Sequence, residues 1–154
     1  KEVTDYTLPI VTDESFSDQY ETLEGDVDIL SHLTLDGALY GLFSLVEALF
    51  GIKIAEQDNF NTGWHPDVRL FHIQDGDDFV GSFCFDPFRR QMKAPVECCA
   101  HLAPDTVFLT LQMKPPTWND EPVPLSLDNA VTLFHEFGHV LQLLLVNRDR
   151  YHAP

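Results

Sequence analysis

One stretch near the end of this 154-residue chain limits its possible folds more than any other. Between Leu127 and Val146, with Ser126 placed to cap the first turn, the spacing predicts a single long helix. Wound at 3.6 residues per turn, Leu133, Phe134, Phe137, Val140, Leu141, Leu143, Leu144, Leu145 and Val146 cover nearly its whole circumference. A helix apolar all round belongs inside a larger body, and any side left uncovered becomes a binding surface or a liability. The chain must therefore bring other elements against it. A composition with 44% hydrophobic residues, 12% of the total aromatic, is enough to build a core.

Those other elements are legible upstream. Leu35, Ala38, Leu39, Leu42, Phe43, Val46, Leu49 and Phe50 recur at helical spacing, and Gly51 stands where a left-handed C-terminal cap is expected. Short β-rich runs follow at Ile52–Ala55, Val68–Gln74, Phe79–Phe85 and Thr106–Met113. Asp75 and Gly76 favour a hairpin between the second and third, and Pro115 with Pro116 ends the last. These runs predict a small, mainly antiparallel sheet beside the final helix. The expected organisation is an acidic linker over residues 1–30 and a partial catalytic domain over residues 31–154.

Charge narrows the partners. Nine Lys and Arg against 25 Asp and Glu leave a formal net charge of −16, which excludes a nucleic-acid backbone as the default partner and disfavours an anionic membrane surface. Residues 1–30 alone carry nine acidic side chains and one Lys. No apolar run approaches the roughly 20 residues of a membrane span. Cys84, Cys98 and Cys99 form no disulfide framework, so a reducing, intracellular setting (cytoplasm or organellar matrix) is expected. Arg89 and Arg90, in so acidic a chain, are expected to pair with local Asp residues, and His65 to sit in a turn.

The chemistry sits on the final helix, in His135-Glu136-Phe137-Gly138-His139. Residues four apart lie one above the other on a helix, so the two imidazoles can both ligate one Zn²⁺ at about 2.0–2.1 Å. Glu136 points about 100° further round, where it reaches a water held by the metal and acts as general base in peptide hydrolysis. Five residues alone match by chance, but here the flanks Thr132, Leu133, Phe134, Val140 and Leu141 carry no charge. The alternative is a histidine pair on a buried helix without metal.

The segment Val131–Gln142 resembles the signature helix of the thimet oligopeptidase and oligopeptidase A family of zinc metallopeptidases. Gly41–Ile52 is similar to the helix before that family's catalytic sheet, and Trp64-His65-Pro66-Asp67-Val68-Arg69 to a second motif. Gly81–Arg89 resembles a third, with Phe88 where Tyr is usual. The resemblance implies an α+β, mostly helical zincin-like catalytic domain, with His135 and His139 as zinc ligands and Glu136 as base. It implies short peptides as substrates, and the strand around Gly81–Phe85 as a rail along which an extended peptide binds.

The resemblance also implies a third ligand, a Glu on a later helix. No Glu follows Glu136, and only Asp149 and His152 stand in the remaining chain. The third His of a metzincin would fall ten residues after the first, at position 145, where Leu145 stands, which excludes that arrangement. The chain is therefore expected to be the front part of a catalytic domain that requires a C-terminal part for its full ligand set. The competing expectation is a non-catalytic fragment or pseudoenzyme that acts by binding a partner.

Overall fold

The computed structural model describes residues 33–58, 65–118 and 122–146. The acidic segment 1–30, Trp64, Asp149 and His152 lie outside the described residues. In chain order the elements are α1 (Leu35–Phe50), β1 (Ile52–Glu56), β2 (Arg69–Asp75), β3 (Asp78–Phe88), β4 (Cys98–Ala103), β5 (Thr106–Met113) and α2 (Leu127–Val146). Among the described residues, no helix is long and apolar enough to cross a membrane.

Local chemistry accounts for the boundaries. Thr34 caps α1 by accepting the Gly37 N–H at 3.1 Å, and Gly51 ends it with φ 72°, donating its N–H to the Glu47 carbonyl. Ser126 caps α2 through the Asn129 N–H at 3.2 Å. Gly76 takes φ 61° as the first residue of the two-residue turn joining β2 to β3, a conformation that disfavours any side chain. Backbone bonds from Leu35 N to Val123 O and from Leu125 N to Leu33 O tie the starts of the two helices together.

The sheet runs β1-β2-β3-β5-β4. The β1·β2, β2·β3 and β4·β5 ladders are antiparallel, whereas β3 and β5, at the centre, are parallel. The expectation of a mostly helical domain with a mainly antiparallel sheet is thus corrected. Strands of 5, 7, 11, 6 and 8 residues match helices of 16 and 20, and the sheet is mixed. The reason is topological. The chain leaves β3, forms the edge strand β4, and turns back to pair β5 with both, which forces β5 parallel to β3. Strand β4 had no strong sequence signal, because Cys98, Cys99, Ala100 and His101 carry little β-propensity.

Both helices share one core with one sheet face. It includes Leu39, Leu42 and Val46 from α1, Phe71, Ile73, Phe83, Phe85, Val107, Leu109 and Leu111 from the sheet, and Leu133, Phe137, Val140 and Leu144 from α2. At its centre Phe71 and Phe83, register partners, stack at 4.9 Å, and Phe43 and Phe137 meet Phe83 edge-on at 6.3 and 5.5 Å. The other face carries a smaller cluster of Val68, Leu70 and Cys84, with Phe108 packed on it. Arg69 grips Glu56 through two bonds of 2.8 and 2.6 Å and Asp36 through one of 2.7 Å, joining α1 to β1 and β2.

Candidate metal centre

The rotation of α2 decides where its polar residues point. Leu133, Phe137, Val140 and Leu144 form its buried stripe, against β3, β4 and β5. At 100° per residue, that stripe lies roughly 150° from the mean direction of His135 and His139, and roughly 70° from Glu136. The burial agrees: both histidines are exposed and Glu136, on the flank, is half-buried. Leu127, Val131, Phe134 and Val146 are also exposed, so α2 is apolar well beyond what the sheet covers.

The two imidazoles converge. Nε2 of His135 and Nε2 of His139 are 3.3 Å apart, with ring centroids 4.9 Å apart and planes at 83°. Two nitrogens bound to one tetrahedral Zn²⁺ at 2.0–2.1 Å are separated by about 3.3–3.4 Å. The pair therefore has the bite that the metal requires, with the nitrogens rather than the ring carbons turned inward. Nδ1 of His139 lies 3.4 Å from Oε1 of Gln142, one turn on. Among the described residues, no third His, Cys, Asp or Glu completes a metal-holding group with them.

Sequence reasoning missed the neighbour of Glu136. Cys99, on β4, faces the core side and is half-buried. Burial, then the Glu136 carboxylate and Cys98, push its thiol up to about 12. It stays protonated beside the Glu136 carboxylate, which a thiolate would repel. Only the assignment of β4 and its alternation could have placed it there. The three cysteines are free, with Cys84 buried.

The remaining expected residues divide. Arg90 pairs with Asp86 through bonds of 2.6 and 2.8 Å, as its acidic surroundings suggested. His65 sits beside a turn and accepts the Asp67 N–H at Nδ1. The strand around Gly81–Phe85 does not serve as an open rail: β3 lies between β2 and β5, with both edges used. Among the described residues, the unpaired sheet edge near α2 is that of β4. A cavity of about 730 Å³, lined by residues including Asp86, Arg90, Lys93, Leu102 and Phe108, contains neither histidine of the pair. Its cations are engaged, since Lys93 donates to the carbonyls of Asp86, Phe88 and Leu111 and pairs with the Asp86 carboxylate.

Comparison with known proteins assigns the lineage. Oligopeptidase A of Escherichia coli (strain K12) is 34% identical over 120 residues, covering 70% of this chain and 17% of the relative. The probable thimet oligopeptidase of Arabidopsis thaliana is 31% identical over 137 residues, covering 79% of this chain and 19% of the relative. Dipeptidyl carboxypeptidase of Escherichia coli (strain K12) is 32% identical over 120 residues, covering 72% and 17% respectively. The chain thus spans less than a fifth of the length of these relatives. Residues 6–152 match the model of Peptidase family M3, and the chain belongs to that family.

Proposed function

We propose that this chain carries part of the active site of a zinc-dependent metalloendopeptidase that hydrolyses peptide bonds in short oligopeptides. His135 and His139 hold the metal through Nε2, and Glu136 is the general base. The observation that carries this reading is the 3.3 Å separation of the two Nε2 atoms, a tetrahedral bite on the helix that bears the family's motif. Bound zinc supplies Lewis acidity, which polarises the scissile carbonyl and makes a water easier to deprotonate. Glu136 accepts that proton and delivers it to the leaving amine. An extended peptide pairs with the open edge of β4, where its carbonyl comes within reach of α2. Relatives named as cytosolic, and as chloroplastic or mitochondrial, support an intracellular setting.

A catalytic zinc takes three protein ligands, so the third comes from outside the described residues. That same observation favours a second reading, a non-catalytic fragment that binds a partner through the exposed apolar side of α2. Glu136→Gln distinguishes the two. In the peptidase reading it retains zinc and loses roughly 10²- to 10⁴-fold in turnover of a short fluorogenic peptide, with chelation abolishing the remainder. Unchanged turnover in that variant refutes the assignment of the base. No stoichiometric zinc in the unsubstituted chain after dialysis favours the second reading.

A further inference from the structure

We propose that Gln142 is a positioning residue for His139: its side-chain oxygen accepts the Nδ1–H of that ring and so presents Nε2, the nitrogen facing His135, as a lone pair. The proposal rests on the zinc reading of the His135–His139 pair.

A neutral imidazole carries one N–H, on either nitrogen, and a nitrogen can ligate only when it is the bare one. Nε2 of His139 is the atom 3.3 Å from Nε2 of His135, so ligation through it requires the ring proton on Nδ1. An amide oxygen is a pure acceptor, and Oε1 of Gln142 lies 3.4 Å from that Nδ1. The contact selects the ligating tautomer before metal arrives. The contact is long, at 3.4 Å. A cation held at Nε2 would draw electron density from the ring and make Nδ1–H a better donor to Gln142.

Helix geometry explains why Gln142 can do this. It follows His139 by three residues, so the two share one exposed strip of α2, away from the buried stripe. Its side chain is exposed and takes no part in the core. Substitution there leaves the packing of α2 in place, so a change at the ring reports on the hydrogen bond.

The test uses the full chain, Gln142→Met, which keeps the length and lacks the acceptor, and Gln142→Glu, which restores an acceptor. Imidazole ¹⁵N shifts of metal-free protein report the tautomer of His139, and competition with a chromophoric chelator reports zinc affinity. The expected result is an Nδ1–H ring in the unsubstituted chain and in Gln142→Glu, a mixture of tautomers in Gln142→Met, and a roughly 10- to 100-fold loss of zinc affinity in the Met variant only. Equal zinc affinity and an unchanged tautomer in Gln142→Met overturn the role of Gln142 and leave the metal site standing. Failure of the unsubstituted chain to take up zinc overturns both.

Discussion

Gly81→Ala is the substitution whose effect follows most directly from the geometry. A Cβ at this buried position on β3 meets the Asp105 carbonyl oxygen at 2.8 Å and Leu144 Cδ2 at 2.9 Å. Both contacts are closer than real Cβ atoms tolerate, but the neighbours differ. Leu144 can rotate at modest cost. The Asp105 carbonyl is backbone in the β4–β5 turn and accepts the Ser82 N–H at 2.8 Å, so moving it weakens a bond next to the substitution. Overpacking of this kind costs about 1–3 kcal/mol. Against it stands the entropic gain from removing a glycine, about 0.4–1 kcal/mol where the backbone suits alanine. Steric cost wins, with a net loss of roughly 1–2 kcal/mol and a fall in Tm of about 2–8 °C for a chain of this size. Gly41→Ala is the internal control. That glycine lies in mid-α1, exposed, with nothing within 4 Å of an added Cβ, so the exchange should stabilise by about 0.5–1 kcal/mol. Thermal and urea unfolding of the two variants should therefore move in opposite directions. A Gly81→Ala protein as stable as the parent would show that the β4–β5 turn yields freely, and the steric argument would fail.

Asp86 anchors a buried ionic group, with Arg90 on both carboxylate oxygens and Lys93 Nζ 3.2 Å from one of them. Asp86→Ala strands the Lys93 ammonium, which burial already drives down in pKa, and should cost about 3–5 kcal/mol in urea unfolding. A loss below about 1 kcal/mol would mean the group relaxes into water. Cys99 gives a pH signature. Its folded pKa of about 12 lies above the value of 9.0 for a free thiol, so the unfolded chain loses its proton first as pH rises. Its contribution to stability is complete below about pH 9 and is lost between there and about pH 12. Glu136→Gln removes one cause of the shift, so thiolate absorbance of Cys99 should then appear at lower pH. No movement of that titration would place the carboxylate away from the thiol.

What could be read from residues alone, and what could not, divides along a physical line. Both helices were visible because their apolar spacing and caps are local signals: Thr34 and Gly51 bound α1, and Ser126 starts α2 where expected. The β2–β3 hairpin was visible for the same reason, through Gly76. Strand β4 and the parallel pairing of β3 with β5 were not, since they depend on which edge a later segment finds, and no local pattern encodes that. β3 is buried from Val80 to Phe88 on both faces, so it has no alternation from which to read its neighbours. The helical domain implied by family resemblance carried the average of much longer chains onto a segment whose own residues are β-rich between Ile52 and Met113.

The candidate centre shows the same division within one helix. Spacing of four places His135 above His139 in any α-helix. It says nothing of which way the pair faces. That direction is fixed by Leu133, Phe137, Val140 and Leu144, whose side chains have a single sheet face to fill. Turning α2 by one residue, about 100°, would drive polar groups into the core and expose that stripe. The apolar residues therefore orient the histidines without touching a metal. The flank they assign to Glu136 faces β4, the strand with the open edge. The Glu136 carboxylate, the imidazole pair and the unpaired edge of β4 are brought to one side of the described residues by packing alone. Only the fine setting of each ring, as by Gln142, is left to polar contacts.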